Sequence, residues 1–509
     1  MAKIVFKKDK SNQLMLLPPD LGSLIPENHL VRIVDKVLNE LQLSPLFDSY
    51  KGGGASSYSP RMLLKVITYA YIEKIYTCRP IAKALRENIY FMWLSGMSTP
   101  DFTTINNFKS KRLKESVDDV FSSVIEVLIN GGFVKAENLF VDGTKIEANA
   151  NKYSYIWKKN VERSESLVKE KVKKLLSHID ELQKAEDAEY GSHDLEEYEG
   201  RITAEQIDEV VAEINQKISS WAKSKKSASQ MTQLKHEASK LKKYQGQKKM
   251  LGGRNSCSKT DSDATFLRMK EDLYGSQLKP GYNVQIATEN QFILGYGVYQ
   301  KAADTSVFIP FIDRLKNELN IPTRNIITDA GYGSEENYDY ITRNNIGNYL
   351  KYNNFDYEKT KAYRDNDFIS DHFVYDIKNN QYVCPSGQKL EFALTKNNIT
   401  DNGYQSERMV YRSVCCEGCK YREKCCKGQR NRCIEISPIL IEYKNIARKN
   451  LESEKGKELR YQRGVDVESV FGQIKHNNRF RRFNTRGLKN VSTEWGLISI
   501  AHNIKKMAN

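Results

Sequence analysis

The stretch Arg460-Tyr-Gln-Arg-Gly-Val-Asp-Val-Glu-Ser-Val-Phe-Gly-Gln-Ile-Lys475 decides how the rest of the chain is read. Val467, Val470, Phe471 and Ile474 stand at i, i+3, i+4 and i+7, the period of a helix with one side against a core. Glu468 lies beside that stripe, and Lys475 lies two turns further along the same side. A carboxylate and a lysine aligned on the edge of a buried helix suit a charged ligand. They equally suit a solvated charge pair, so the reading turns on whether other acids stand at the ends of apolar strands.

Two do. Asn325-Ile-Ile-Thr-Asp-Ala-Gly-Tyr-Gly333 reads as a short buried strand running into Asp329 and a glycine-rich turn. Asn138-Leu-Phe-Val-Asp-Gly-Thr-Lys-Ile-Glu-Ala-Asn149 repeats the pattern, with Leu139 to Val141 as the strand and Asp142-Gly143 predicted to end it. An acid at a strand tip is open to a metal or a substrate, although Asp-Gly is also a common turn pair. Between them, residues 282–288 and 292–299 predict a hairpin turned at Glu289-Asn-Gln291, and residues 306–319 predict a helix. A further helix begins at Ser334. This order suits a mixed α/β sheet in which the ends of neighbouring strands meet.

The composition narrows the chemistry. At 509 residues the chain exceeds one ordinary core. Lys+Arg 79 against Asp+Glu 64 gives a net charge of +15, which points to a polyanionic partner. Residues 441–509 carry 15 Lys/Arg against 7 Asp/Glu, so the excess concentrates around the late helix. Acids gathered in so basic a protein repel one another unless cations bridge them. Two divalent ions about 4 Å apart would do so, and could act on both oxygens of a phosphodiester exchange. Oxygen-only ligands select Mg²⁺ or Mn²⁺. No secretory signal and no run of about 18 apolar residues is visible, so a soluble intracellular protein without a membrane span is expected.

Three further regions have their own character. Pro60, with Met62, Leu63, Val66, Ile67, Ala70 and Tyr71 behind it, predicts a helix; shorter ones are expected over residues 79–88 and from Ser98. With Arg79, Lys83, Arg86, Lys109, Lys111 and Arg112 they suit either a helix-turn-helix-like DNA-binding module or a plain bundle. Residues 152–251 carry heptad seams (Val168, Val172, Leu175, Ile179, Leu182; Ile207, Val211, Ile214, Ile218, Trp221; Met231, Leu234, Ala238, Leu241) around an acidic connection at 186–199. Residues 351–432 are polar and hold most of the nine cysteines. Cys384, Cys416, Cys419 and Cys425 could close a tetrahedral structural Zn²⁺ site, with Cys415, Cys426 and Cys433 as alternates.

Taken together, Asp142 in Phe-Val-Asp-Gly-Thr, Asp329 in Ile-Thr-Asp-Ala-Gly-Tyr, and Tyr461, Arg463, Glu468 and Lys475 in the late helix resemble a DDE-type transposase of a bacterial insertion sequence. The group resembled has a ribonuclease-H-like core and a Tyr–Arg–Glu–Lys signature. Its Glu-to-Lys spacing is matched here, whereas Arg463 and Glu468 have four residues between them where the group usually has three. The resemblance implies that Asp142, Asp329 and Glu468 hold catalytic Mg²⁺ or Mn²⁺, and that Lys475 contacts transposon-end DNA. Arg463, Tyr461, Arg479 and Arg482 would join it on the DNA.

The fold class expected is α/β: a ribonuclease-H-like mixed sheet with flanking helices. Residues 1–130 would be a helical N-terminal DNA-binding domain, with 131–151 and 261–350 as the first parts of the core. Residues 152–260 would form a coiled-coil-like insertion, 351–440 a zinc-ribbon-like insertion, and 441–509 the helices that complete the core. The partners expected are double-stranded DNA, as terminal inverted repeats and target, and a second copy of the chain when ends are paired. The setting expected is the bacterial cytoplasm, at the nucleoid. A catalytically silent end-binding regulator and a related nuclease are the competing classes; that all three acids are present favours the enzyme.

Overall fold

The computed structural model describes residues 20–50, 57–190, 205–206, 209, 225–269, 277–426 and 428–508. The basic tail before residue 20, the Gly/Ser loop at 51–56, residues 191–199 of the acidic connection and the seam from Ile207 to Trp221 lie outside them.

Among the described residues, eight strands precede the cysteine region: β1 (Asn138–Glu147), β2 (Tyr155–Trp157), β3 (Ser256–Ser258), β4 (Thr265–Met269), β5 (Gln277–Glu289), β6 (Phe292–Tyr299), β7 (Asn325–Thr328) and β8 (Gly347–Leu350). The main sheet runs β4-β5-β1-β7-β8, with β6 also on β5. β5 is long enough to take two partners on one edge, β4 along its first half and β6 along its second. β5 is antiparallel to β1, whereas β1, β7 and β8 are parallel. Parallel neighbours need crossovers, and the helices Phe308–Asn317 and Glu335–Arg343 supply them. The β5–β6 turn is Asn290-Gln291, both left-handed (φ 54° and 63°), as a two-residue hairpin loop between right-twisted strands requires. This mixed sheet with flanking helices is consistent with a ribonuclease-H-like core.

β1 departs from the expectation, because it does not end at Asp142-Gly143. Its register with β5 continues from Phe140↔Thr288 to Glu147↔Gly281, so β5 pairs the backbone well past the aspartate. What stops there is the parallel neighbour, whose last pair is Val141↔Thr328. Asp142 therefore lies at the mouth left where β7 turns away. Gly143 serves space and not a turn: a Cβ there would stand 2.1 Å from Gln285 Nε2.

The helices Leu30–Glu40, Pro60–Ile72, Cys78–Glu87, Phe102–Asn107 and Lys114–Asn130 precede the sheet. Ser59 ahead of Pro60, and Asp101 accepting from Thr104 N at 2.7 Å, cap two of them. The last helix, Leu488–Met507, is buried nearly all round and packs on β6, Pro60–Ile72 and Lys114–Asn130. One apolar core thus joins the N-terminal helices, the sheet and the C-terminal helices. No helix among the described residues is long and apolar enough to cross a membrane.

Two excursions leave this core. Between β2 and β3, the helices Lys158–Tyr190 and Lys225–Leu251 pack on each other through Val168, Val172, Leu234, Ala238 and Leu241. Leu176 is buried in the seam and Leu175 is not, because the contact follows an i, i+4 ridge instead of a heptad. After β8, strands β9 (Val374–Asp376), β10 (Gln381–Val383), β11 (Lys389–Ile399), β12 (Gln405–Ser413) and β13 (Cys433–Ile436) form an antiparallel sheet, order β13-β12-β11-β10-β9. Its small core is Phe373, Leu390, Tyr411 and Ile434.

Candidate active site

The late helix is not one regular α-helix. An α-helical segment, Glu454–Arg463, passes into a π-helical turn, Gly464–Glu468, then into Ser469–Gly472 and a second π-helical turn, Gln473–Asn477. In a π turn the residues that share a side are five apart, not four. The additional residue between Arg463 and Glu468 is absorbed there, and both side chains still face the same mouth. Val467, Val470 and Ile474 are buried beneath them, and Asp466 anchors the turn by accepting from Gln291 N at 2.7 Å.

Arg463 is the hub. Its Nη2 donates to Asp142 Oδ2 at 2.9 Å and lies 3.9 Å from Asp329 Oδ2, while its Nη1 lies 3.9 Å from Glu468 Oε1. Three acids from β1, the end of β7 and the late helix thus converge on one guanidinium, whose Nε is buried without an acceptor among the described residues. Asp142 Oδ1 also accepts from Gly143 N at 2.8 Å, and Asp329 Oδ1 from Gly331 N at 2.9 Å. Burial is the main cause that pushes the Asp142 carboxyl up to about 6; Arg463 opposes it, and Asp329 and Asp304 add to it. Glu468 is the open member, with its side chain 69% exposed.

Asp304 escaped the sequence reading. It follows β6 in a short 3-10 turn, and its Oδ1 accepts from Asn283 Nδ2 at 2.9 Å and Gln285 Nε2 at 3.0 Å. Tyr332 in turn donates to Gln285 Oε1. In the sequence, Ala-Ala-Asp-Thr-Ser looks like a plain helix start; only the inward-facing amides of β5 aim the carboxylate at the mouth. Next to it a cavity is lined by Lys145, Lys279, Lys475 and Arg481 together with Asn283 and Asp304. Lys475 is mostly buried, facing this cavity from the late helix.

The other basic candidates scatter. Tyr461 is 80% exposed. Arg479 is exposed at a left-handed position, φ 54°. Arg482 donates to the carbonyls of Ala148 (3.1 Å) and Ala150 (2.9 Å), where it ties the chain after the late helix to the end of β1.

The cysteines converge without forming the expected zinc site. Cys384, Cys416, Cys419, Cys425 and Cys426 line one cavity, but Arg422 and Arg432 line it too. Cys416 Sγ accepts from Arg432 N at 3.3 Å, and Cys384 Sγ lies 3.0 Å from Ser386 Oγ. Among the described residues no three His, Cys, Asp or Glu side chains stand close enough to share an ion. The antiparallel sheet and its own apolar core hold this region, and structural zinc finds no support.

For the carboxylates the same separation has a visible cause, because a guanidinium stands between them. Hard oxygen donors are the donor set a divalent ion takes, so the chemistry of these residues, though not their present spacing, fits such an ion.

Comparison with known proteins was informative for families alone. The family described as Transposase DDE domain matches residues 383–508, which include Arg463, Glu468 and Lys475. The family described as Transposase domain (DUF772) matches residues 19–111, the helices ahead of the sheet. No curated protein and no solved structure matches the chain. Matches to two transposase families, on both sides of a mixed sheet whose mouth gathers three acids, support a DDE-type transposase of an insertion element.

Proposed function

We propose that this transposase cuts DNA at the ends of its insertion element and joins them to target DNA, with Asp142, Asp329 and Glu468 as the acids that hold Mg²⁺ or Mn²⁺. One observation carries the reading: residues from three elements, far apart in sequence, aim carboxylates at a single cation position. Such ions, when bound, activate the attacking oxygen and stabilise the leaving one. The chain's own residues do the rest. Asp142 and Asp329 are fixed by backbone N–H groups of Gly143 and Gly331, so their orientation does not depend on the ion. Glu468, the exposed member, is the one free to adjust. Lys475, with Lys145, Lys279 and Arg481 around the same cavity, holds the phosphodiester beside the acids.

Arg479 and Tyr461, on the outer side, extend the DNA path, and the N-terminal helices add end recognition within the domain limits read from the sequence. Paired ends would bring two copies of the chain together, at the nucleoid in the cytoplasm. The test is cleavage of terminal-repeat DNA in Mg²⁺ or Mn²⁺ by the parent and by Asp142→Asn, Asp329→Asn and Glu468→Gln. Each variant should lose cleavage by about 100-fold or more and keep end binding. A variant that cuts at the parental rate removes its residue from the site. A parent that binds ends and never cuts supports the end-binding regulator instead.

A further inference from the structure

A guanidinium placed between three carboxylates can be a static strut or a stand-in for the ions. Charge decides what happens when ions arrive. Arg463 Nη2 lies 2.9 Å from Asp142 Oδ2 and 3.9 Å from Asp329 Oδ2, so the guanidinium stands between two of the acids that would hold an ion. A divalent ion there would put a positive charge against the guanidinium within a contact distance. The side chain is only 15% exposed, so water screens that repulsion poorly. A second feature points the same way. Its Nε–H is buried with no acceptor among the described residues, and the fork would gain one on turning toward a phosphate oxygen.

We propose that Arg463 is the resident counter-cation of the carboxylate centre, and that it and the divalent ions are alternative occupants. Before ions bind, its single positive charge offsets part of the negative charge of Asp142, Asp329 and Glu468, and it ties β1, the end of β7 and the late helix to one another. Ion binding turns it out of the centre toward the DNA backbone. The inference rests on the reading of the three acids as ion ligands, and its test separates the two.

Full-length protein without DNA is titrated with Mn²⁺, and free Mn²⁺ is followed by electron paramagnetic resonance. Arg463→Gln should bind Mn²⁺ more tightly than the parent, with a dissociation constant lower by about 10-fold, equivalent to ~1.4 kcal/mol of competition removed. Damage to the fold would weaken Mn²⁺ binding, so a gain cannot come from it. Arg463→Lys, which keeps the charge but has no fork, should fall between the two, and it carries the test alone if the glutamine variant does not fold. Asp142→Asn should lose Mn²⁺ binding. If Asp142→Asn loses it while both Arg463 variants bind as the parent does or more weakly, the acids are ligands and the counter-cation proposal is wrong. If Asp142→Asn binds as the parent does, the ligand reading fails and takes the proposal with it.

Discussion

At the scale of single residues, burial sets the chemistry more than charge count does. His502, on the last helix, places Nε2 2.9 Å from Gln291 O at the β5–β6 turn, and burial is the main cause that brings its imidazole down to about 4. Its neighbour Asn503 brackets Ile293 through both backbone groups, at 2.8 and 2.7 Å. Folding thus holds His502 neutral where the unfolded chain, with the ordinary histidine value of 6.5, takes up a proton. Between about 4 and 6.5 the unfolded state binds more protons, so stability rises with pH across that window and is lost on acidification. The loss should reach about 3 kcal/mol once the pH is below the window. Urea unfolding across this range checks it: His502→Gln should remove that part of the slope, and an unchanged slope would assign it to other groups.

At the scale of elements, the late helix works because of its irregularity. A regular α-helix would separate Arg463 and Glu468 by five steps of about 100°, which turns them away from each other. The π turn Gly464–Glu468 restores a common side at the cost of one additional residue. Val465, half exposed and opposite the buried Asp466 and Val467, is the residue that can be spared. Deleting Val465 should therefore give a folded protein with a regular helix that keeps measurable cleavage. Inserting an alanine after Val465 should rotate Glu468 out of the mouth and lower cleavage by about 100-fold or more. Equal activity of the two variants would mean that the register across this turn does not matter.

At the scale of the whole molecule, one core carries the sheet and both terminal helical regions, and the excursions hang from it. The helices Lys158–Tyr190 and Lys225–Leu251 rest on a separate cluster of Ile156, Val161, Leu251 and Cys257. Their inner ends are held together by the pair Trp157↔Ser256 and by Lys158 N to Asn255 O at 3.0 Å. Replacing residues 159–254 by a short Gly/Asn turn should leave the melting temperature of the remainder within ~5 °C, by differential scanning calorimetry; a collapse would show that the pair props the main core. Basic charge acts at the same scale. Lys475→Ala should weaken end binding and flatten the log–log salt dependence by roughly one unit, the signature of one phosphate contact. An unchanged slope in that titration would leave Lys475 with a purely structural place in the cavity wall.

Much was legible without the fold, for local reasons. Asp329 and Asp142 declare themselves because apolar runs of period and length suited to buried strands lead into them, and Glu468 because it edges an apolar helical stripe. The β5–β6 turn and the capped helices at Pro60 and Phe102 follow from residues within a few positions of one another. What depends on partners far along the chain was out of reach. That β1 runs through Asp142 is due to β5, more than a hundred residues away. That Asp304 joins the mouth is due to Asn283 and Gln285 on that strand, and that Arg482 is taken up by Ala148 and Ala150 is due to the chain closing on itself. The cysteine spacing suggested a metal because local spacing says nothing of the two arginines and the five-stranded sheet that occupy the region instead. The sequence by itself thus pointed to the side chains proposed to carry the chemistry and to the kinds of element on which they stand. Only the tertiary structure decided what they face, since a carboxylate's role is set by the cation beside it, and here that cation is Arg463.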